Sequence, residues 1–318
     1  MSTSVRFQSC MKEFVDCPVC GFSERGAVYA SGPDFEYDTV LNEFSFVRCS
    51  ACGVLYLNPR PAVSELSKIY PPEYAPYHFD NNTSFTVRIR NWLETRKAKA
   101  FLKIIPETAE ILDGGCGGTS FLNALRQAGP PGWHLWGNDF DTAALERIKK
   151  ENFNALPGRF EELSGFDNFF DVIFLKQVIE HLARPVDVMS SAAKMLKPGG
   201  YLVVDTPNEN AWDAKWFAGR YWGGYHFPRH WTLFNRKALS QLGQKVGLEV
   251  QAVSYMLSPT FWVQSVHHLL KDHHWPGCTQ RFFSHVNPLA MAAACTLDVL
   301  QKIILEATSN MRILFQKK

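Results

Sequence analysis

The segment 111–120, ILDGGCGGTS, sets four glycines in five positions around Cys116. Glycine costs roughly 0.5–1 kcal/mol relative to alanine in regular structure, so such a cluster predicts a close approach of backbone to a ligand. The cluster follows an apolar run and precedes a helical pattern, which indicates a strand-to-helix turn. Ligands bind at such turns, beside free N–H groups. Asp113 is predicted to face the ligand from the strand end, and the alternative is a tight turn without a ligand.

A second acid stands about 25 residues further on, where Gly137-Asn138-Asp139 ends the next predicted strand. An acid at this place binds ribose hydroxyls in nucleotide-binding folds. We therefore predict that Asp139 binds a ribose. The alternative role of helix cap falls more naturally to Asp141.

Two CxxC pairs near the start of the chain, CPVC and CSACG, supply Cys17, Cys20, Cys49 and Cys52. Four thiolates fit a closed tetrahedral zinc site. The 28 residues between the pairs exceed the usual 15–20 and predict a long hairpin. A redox dithiol is the alternative. The remaining cysteines are predicted to be free thiols: Cys10, Cys116, Cys278 and Cys295.

Histidines are the candidate bases near neutral pH. His181 follows the predicted strand at 170–177, and the loop GGYHFPRHWTLF carries His226, Arg229 and His230. In the alternative interpretation, His181 packs against the next helix and Arg229 forms a structural salt bridge, while Glu180 is structural. The Trp and Tyr residues of 212–231 line an apolar pocket or belong to the core.

Strand and helix patterns must position these residues. Apolar runs predict six strands and helical periodicity predicts the segments between them. The alternation indicates an α/β fold with a doubly wound parallel sheet. The predicted strands are 109–115, 133–140, 170–177, 201–208, 248–256 and an antiparallel closing strand 310–318. The predicted helices are 62–69, 85–105, 120–129, 141–152, 183–200, 235–247 and 287–307.

The motifs resemble those of class I S-adenosylmethionine-dependent methyltransferases over about 110–257. DGGCGGTS is similar to the family's Asp-x-Gly-Cys-Gly-x-Gly, with Thr119 in place of the last glycine. GNDFDTAA, GRFEEL, FDVIFLKQVIEHLARP and LKPGGYLVVDTPN follow in the family's order. The resemblance implies a Rossmann-like seven-stranded sheet and S-adenosylmethionine as cofactor. The cofactor-binding residues that it implies are Asp113, Gly114, Gly115, Cys116, Gly117, Asp139, Phe140, Phe160, Glu161 and Lys176.

Composition and charge limit the classes of partner and the domain organisation that the chain can have. Among 318 residues, 33 basic and 31 acidic side chains nearly cancel, which argues against a nucleic-acid partner. We predict a zinc-ribbon-like segment over 1–60, a connector over 61–108 and a methyltransferase domain over 109–318, with a helical insertion at 258–307. No secretory signal and no apolar run long enough to span a bilayer is evident, so we expect a cytoplasmic protein.

The resemblance implies methyl transfer to a nucleophile, and we expect a small-molecule hydroxyl as acceptor, with a histidine base. Amine or amide methylation is disfavoured because Lys176-Gln177-Val178-Ile179 replaces the Asn/Asp-Pro-Pro motif of those enzymes. RNA methylation through the ribbon is the rival, but 21–44 carries five acids and one arginine. A non-catalytic scaffold, supported only by Thr119, is the third hypothesis. The helix at 288–307 is expected to be a lid or homodimer helix rather than a membrane contact, because its polar face is not rich in Lys or Arg.

Overall fold

The computed structural model describes residues 9–71, 92, 94–284 and 286–318. The strands are β1 Lys12–Glu13, β2 Val28–Gly32, β3 Phe44–Arg48, β4 Leu55–Leu57, β5 Arg60–Pro61, β6 Ala109–Gly114, β7 Trp133–Asp139, β8 Asn154–Pro157, β9 Phe170–Lys176, β10 Leu196–Pro207, β11 Thr232–Leu233, β12 Leu248–Met256 and β13 Asn310–Lys317. The helices are α1 Leu66–Ile69, α2 94–99, α3 Ser120–Ala128, α4 Thr142–Lys150, α5 Pro185–Met195, α6 Trp212–Trp216, α7 Arg236–Lys245, α8 Pro259–Asp272, α9 Gly277–Phe282 and α10 Pro288–Leu305.

The larger sheet has seven strands in the order β12-β13-β10-β9-β6-β7-β8. Its strands are parallel except β13, which pairs antiparallel with both neighbours, β10 and β12. This confirms the predicted doubly wound α/β sheet and its closing strand. The strand order reverses between β6 and β9, which pair directly. Such a reversal leaves a crevice at the carboxyl ends of the strands, where ligands of open α/β sheets bind.

The smaller sheet has the order β11-β4-β3-β2 and contains the predicted hairpin, β2 with β3. Its edge strand β11 comes from the loop that carries the candidate histidines, with Leu233 paired to Leu55. The sheet thus crosses the boundary predicted at residue 60. The aromatic side chains of both parts share one buried cluster, which includes Phe46, Trp222 and Tyr225.

Several element ends differ from the predictions. Helix α5 ends at Met195, before the Pro-Gly-Gly that was expected to stop it, because β10 begins at Leu196. Gly129 ends α3 with φ −94°, outside the left-handed region. A Cβ there would lie 2.1 Å from a Trp133 ring carbon, so close packing explains this glycine. Strand β8 was not predicted. Of the predicted helix 85–105, residues 94–99 are helical and a 3₁₀ turn follows at Ala100–Lys103, while 85–91 and 93 lie outside the described residues.

Helices α8, α9 and α10 form the predicted insertion between β12 and β13. One face of α10 packs on α8, where Ala290 and Ala294 meet Trp262 and Val263. By length and composition α10 could cross a membrane, with a mean hydropathy of 1.5 and 22% of it buried. Asp298, Gln301 and Lys302 interrupt this helix, so it does not contradict the prediction that no uninterrupted apolar run is long enough to span a bilayer.

Candidate functional site

A cavity of about 300 Å³ lies at the carboxyl ends of β6, β7 and β9. Its volume falls at the lower end of the range for small-ligand sites. One end carries residues of the glycine bend and of the loops after β7 and β8, and the other end is mostly apolar. The lining residues are Val63, Leu66, Tyr70, Gly115, Gly117, Asn138, Asp139, Phe140, Gly158, Arg159, Phe160, Glu161, Gln177, Val178, His181, Leu182, Ala183 and Trp231.

The glycine bend is shaped by two left-handed residues, Gly115 (φ +64°) and Gly117 (φ +62°), and both line the cavity. Asp139 supports the bend, because its Oδ2 accepts a hydrogen bond of 2.8 Å from the Gly117 N–H. Position 114 requires glycine for a different reason, because a Cβ there would lie 2.5 Å from the ring of Phe160. Two glycines of the cluster thus face the cavity, and one makes room for a neighbouring ring.

Asp139 lies on the cavity wall with Phe140, Phe160 and Glu161, three more of the residues predicted to bind the cofactor. Burial raises the pKa of Asp139, while hydrogen bonds from backbone N–H groups lower it. Asp141 caps α4 by accepting from the N–H groups of Ala143 and Ala144, as predicted. The sequence did not single out three further lining residues here: Asn138, Gly158 and Arg159.

Asp113, Cys116 and Lys176, also predicted to bind the cofactor, are not among the lining residues. Asp113 is 3% exposed, and burial, only partly offset by Lys176, raises its pKa to about 7. The Lys176 ammonium lies 2.9 Å from a Glu94 carboxylate oxygen. The structure therefore does not place these three side chains on the wall of this cavity.

The apolar end of the cavity is built largely from the connector and from the segment after β9. Val63, Leu66 and Tyr70 come from the 3₁₀ turn, helix and following residue at 63–70, and Leu182 and Ala183 line the same cavity. The sequence did not predict that the connector would contribute to the cavity wall. Its only available signal was the density of proline and tyrosine, which does not specify a pocket.

The three candidate histidines come together at this end. The ring centres lie 4.6 Å apart for His181 and His230, 4.9 Å for His226 and His230, and 6.1 Å for His181 and His226. Only His181 of the three lines the cavity. Burial, followed by the charge of His226, lowers the pKa of His181 to about 3. Burial also lowers the pKa of His230 well below its ordinary value.

Arg229 is fully buried and bonds both carboxylate oxygens of Asp34, at 2.9 and 2.8 Å. This geometry matches the salt-bridge alternative for Arg229. Among the aromatic residues of 212–231, Trp222 and Tyr225 belong to the core, and Trp231 is the one tryptophan on the cavity wall. Glu180 is buried, and its Oε2 accepts from the Thr206 hydroxyl at 2.9 Å.

The four cysteines of the CxxC pairs form one cluster. The sulfur atoms of Cys17 and Cys52 lie 3.6 Å apart, as do those of Cys20 and Cys49. Each pair ends in a left-handed glycine, Gly21 (φ +76°) or Gly53 (φ +78°), whose N–H bonds the carbonyl of the first cysteine. All four ligand atoms lie within 4.8 Å of one another, so the cluster could hold a metal ion. The other four cysteines are free thiols, as predicted.

Comparisons with known proteins bear on the larger sheet. A family model described as a methyltransferase domain matches residues 88–253, just over half of the chain. The ubiquinone biosynthesis O-methyltransferase of Thiobacillus denitrificans is 28% identical over 146 residues, which cover 44% of this chain and 56% of that protein. Its counterpart in Haemophilus ducreyi is 29% identical over 146 residues, which cover 42% and 56%. The chain thus spans about half the length of these relatives.

Solved structures show the same fold at low identity. A chain from the complex of the Haloferax volcanii Trm112 methyltransferase activator with a methyltransferase superposes with a TM-score of 0.50 and 16% identity, over 76% of this chain and 96% of that one. The Burkholderia thailandensis 1,6-didemethyltoxoflavin-N1-methyltransferase, solved with S-adenosylhomocysteine, gives a TM-score of 0.48 and 14% identity, over 86% and 96%.

Proposed function

We propose that this chain, which belongs to the methyltransferase-domain family, transfers a methyl group from S-adenosylmethionine to a hydroxyl oxygen of a small, largely apolar molecule. One observation carries the proposal. A single cavity joins the glycine bend and Asp139 to an apolar end that has His181 on its wall. Cofactor and acceptor can therefore meet in one cavity.

The residues present fit the cofactor. Nothing lies within 4 Å of the position of a Cβ on Gly117, so the backbone there is open to the cavity. We propose that Gly115 and Gly117 approach the methionine part, that Asp139 binds the ribose, and that Phe140, Phe160 and Glu161 surround the adenine. The bound cofactor supplies an activated methyl group. The protein's contribution is mainly positioning, which can lower a barrier by roughly 7–11 kcal/mol.

We propose that the acceptor lies between Leu66, Tyr70, Leu182 and Trp231, with its hydroxyl toward the histidine cluster. A histidine removes the hydroxyl proton as the oxygen attacks the methyl carbon, which adds about 10²–10⁴-fold to the rate. Names of the relatives support oxygen as the methylated atom, since they are O-methyltransferases. His181 contacts the acceptor in this proposal, and His226 is the preferred base.

For the cysteine cluster we propose a structural zinc ion. Tetrahedral zinc with Zn–S bonds of about 2.3 Å separates its sulfur ligands by roughly 3.8 Å. The 3.6 Å separations between sulfur atoms are close to this value. Burial raises the pKa of Cys17 and raises that of Cys52 to about 11, whereas backbone hydrogen bonds outweigh burial at Cys49 and contribute to lowering its pKa to about 7. A bound zinc ion would supply the positive charge that holds all four as thiolates.

A turnover assay tests the function. The protein is incubated with S-adenosylmethionine labelled in the methyl group and with a panel of phenols, catechols and aliphatic alcohols, and in parallel with ribosomal and transfer RNA. We expect label in one class of small hydroxyl compounds and none in RNA. Labelled RNA would support the rival hypothesis. Cofactor binding without transfer to any acceptor would support a scaffold protein.

A further inference from the structure

We propose that Arg147, near the end of α4, is a positioning residue for the cofactor, because it holds the glycine bend (residues 113–119) in the shape that receives S-adenosylmethionine. The inference rests on the part of the proposed function in which Gly115 and Gly117 approach the methionine part of the cofactor. It does not depend on the identity of the acceptor. The motifs in the sequence assign no such role to α4.

The bend needs support from the rest of the fold because of its composition. Four of its seven residues are glycines, which sample more backbone conformations than other residues and lose more entropy when they are ordered. If the bend became ordered only on binding, that entropy loss would weaken the affinity for the cofactor. Contacts that fix the bend in the free protein remove this loss.

Two side chains hold the peptide groups on either side of the Gly117 Cα. The Asp139 Oδ2 accepts from the Gly117 N–H at 2.8 Å, and the Arg147 Nη2 donates to the Gly117 carbonyl at 3.0 Å. The two peptide planes together set the backbone angles of Gly117, which has a left-handed φ of +62° and lines the cavity. Because a guanidinium donor is charged, the bond from Arg147 is stronger than one between neutral groups.

The surroundings of Arg147 indicate that its role concerns the bend. Within the described part of the chain, the Gly117 carbonyl is the acceptor that its guanidinium bonds, and no carboxylate forms an ion pair with it. Its Nε is buried without a hydrogen-bond partner among the described residues, which costs free energy. A surface ion pair therefore does not explain this arginine, whereas the bond to the bend does.

Thr119, which stands where the related motif has its last glycine, connects the bend to the same end of α4. Its hydroxyl donates to the Glu151 Oε1 at 2.7 Å, and the Glu151 Oε2 accepts from the Asn123 amide at 2.6 Å. Glu151 is the C-cap residue of α4, one helical turn after Arg147. The Thr119 side chain is buried and does not cap its own helix, α3. The departure from the motif thus supplies a second contact between the bend and α4.

Helix α4 is itself fixed, so it can support the bend. Its Leu145 and Ile148 share a buried cluster with Ile111 of β6 and Leu135 of β7. Asp141 caps its first turn. Side chains that are held by packing and by hydrogen bonds keep a binding site in its productive geometry. Arg147 therefore transmits the rigidity of α4 to the peptide groups that the cofactor meets.

The test is the Arg147→Met variant, which keeps an unbranched side chain but removes the donor. We expect the Kd for S-adenosylhomocysteine and the KM for S-adenosylmethionine to rise about tenfold, because ordering of the bend then accompanies binding. We expect kcat at saturating cofactor to stay within about twofold of the wild type, and Arg147→Lys, which retains a donor, to recover part of the affinity. Lys150→Met removes a charge from an exposed place next to α4's end and should bind like the wild type.

Amide hydrogen exchange over 113–119 separates this role from a purely structural one, and its first measurement needs no variant that might misfold. In the free wild type we expect these amides to be protected almost as well as in the complex with S-adenosylhomocysteine. In Arg147→Met we expect faster exchange in the free protein but not in the complex. Fast exchange in the free wild type, or wild-type affinity and exchange in Arg147→Met, would overturn the inference and leave methylation intact. A wild type that does not bind S-adenosylhomocysteine overturns the cofactor assignment and the inference with it, whereas failure to methylate a hydroxyl overturns the proposed acceptor alone.

Discussion

Asp139 links the glycine bend to the following strand. One of its carboxylate oxygens accepts from the Gly117 N–H at 2.8 Å, and the other accepts from the Asp141 N–H at 2.9 Å. A carboxylate has about four acceptor sites, so it can hold the bend and still accept hydrogen bonds from a ribose. The same side chain thus shapes the pocket and is available to its ligand.

From this we predict that Asp139→Ala weakens binding of S-adenosylhomocysteine by about 1–3 kcal/mol, the usual worth of a charge-assisted hydrogen bond. Titration calorimetry measures the affinity. Asp141→Ala is the control, since it removes the cap of α4 and should lower stability by about 1 kcal/mol without changing the affinity. Equal affinity of the wild type and Asp139→Ala for S-adenosylhomocysteine would show that Asp139 does not bind the ribose.

Glu180 gives a prediction about pH. It is fully buried, and burial raises its pKa from 4.5 to about 8. The folded protein then keeps this group protonated up to about pH 8, while the unfolded chain ionises it near pH 4.5. Its contribution to stability is therefore lost progressively as pH rises between these values.

Glu180→Gln keeps the acceptor for the Thr206 hydroxyl and removes the ionisation. We expect the variant to gain stability relative to wild type between pH 5 and pH 8, as measured by urea unfolding. Glu146→Gln changes an exposed position, so its free energy of unfolding should vary with pH in the same way as that of the wild type over this range. If the free energy of unfolding of Glu180→Gln also varies with pH as that of the wild type does, Glu180 ionises normally in the folded protein.

For individual residues, the sequence predicted where the site lies better than it predicted which side chains point into the cavity. Asp139, Phe160 and His181 are on the cavity wall, but Asp113 and Lys176 are not. A residue at a strand end can point into either face, and the choice depends on packing that the local sequence does not contain. The pairing of Glu36 with His226 spans 190 positions and had no local signal.

Among the elements, the two CxxC turns are close copies of each other. In each, the N–H of the first cysteine bonds the carbonyl of the residue two places after the second cysteine, Phe22 or Val54. Such matched turns aim their sulfur atoms at a shared point. Four thiolates this close repel one another, and a bound cation would offset that repulsion.

We predict one zinc ion per chain, measured by elemental analysis, and its loss in Cys20→Ser. Structural zinc contributes about 10–16 kcal/mol in isolated zinc-finger peptides. We therefore expect destabilisation beyond the 0.5–3 kcal/mol of an ordinary substitution. Cys278→Ser, at an exposed free thiol, is the control and should keep both zinc and stability. Wild-type protein purified without zinc, but with unchanged thermal unfolding, would contradict the assignment.

Element types were predictable where the hydrophobic pattern was long, as in β9 and β12. The failures have specific causes. Strand β8 has four residues, too few for a periodic signal, and β11 has two and depends on pairing with β4. The end of α5 was misplaced because strand pairing of Leu196 with Phe170 overrides the Pro-Gly-Gly stop signal.

Across the whole molecule, the two sheets are tied by buried charges as well as by β11. Arg229 and Asp34 are both fully buried, and Arg48 of β3 bonds Glu209, which follows β10, at 2.8 Å. A buried pair does not by itself imply high stability, but removing one partner leaves an uncompensated charge in the core. The N-terminal segment is in this sense part of the methyltransferase.

We accordingly predict that Asp34→Asn lowers the free energy of unfolding by about 3–5 kcal/mol, because it leaves the Arg229 charge buried without its partner. Asp187→Asn, which breaks the exposed pair with Arg184, should cost no more than about 1 kcal/mol. Denaturant unfolding measures both. Similar losses in the two variants would mean that the buried pair does not join the segments as described.

The outer face of α10 exposes apolar side chains, with Ile303 70% and Ile304 60% accessible. The expectation of a lid or homodimer helix at this place stays a prediction. Nothing in the described residues covers this face.

A crystal structure of the protein with S-adenosylhomocysteine tests the central claim most directly. The account predicts the ribose hydroxyls on the Asp139 carboxylate, the adenine beside Phe160, and the sulfur above Gly115 and Gly117, facing the end of the cavity that holds His181 and Trp231. A ligand bound in another crevice, or a glycine bend filled by side chains, would contradict it.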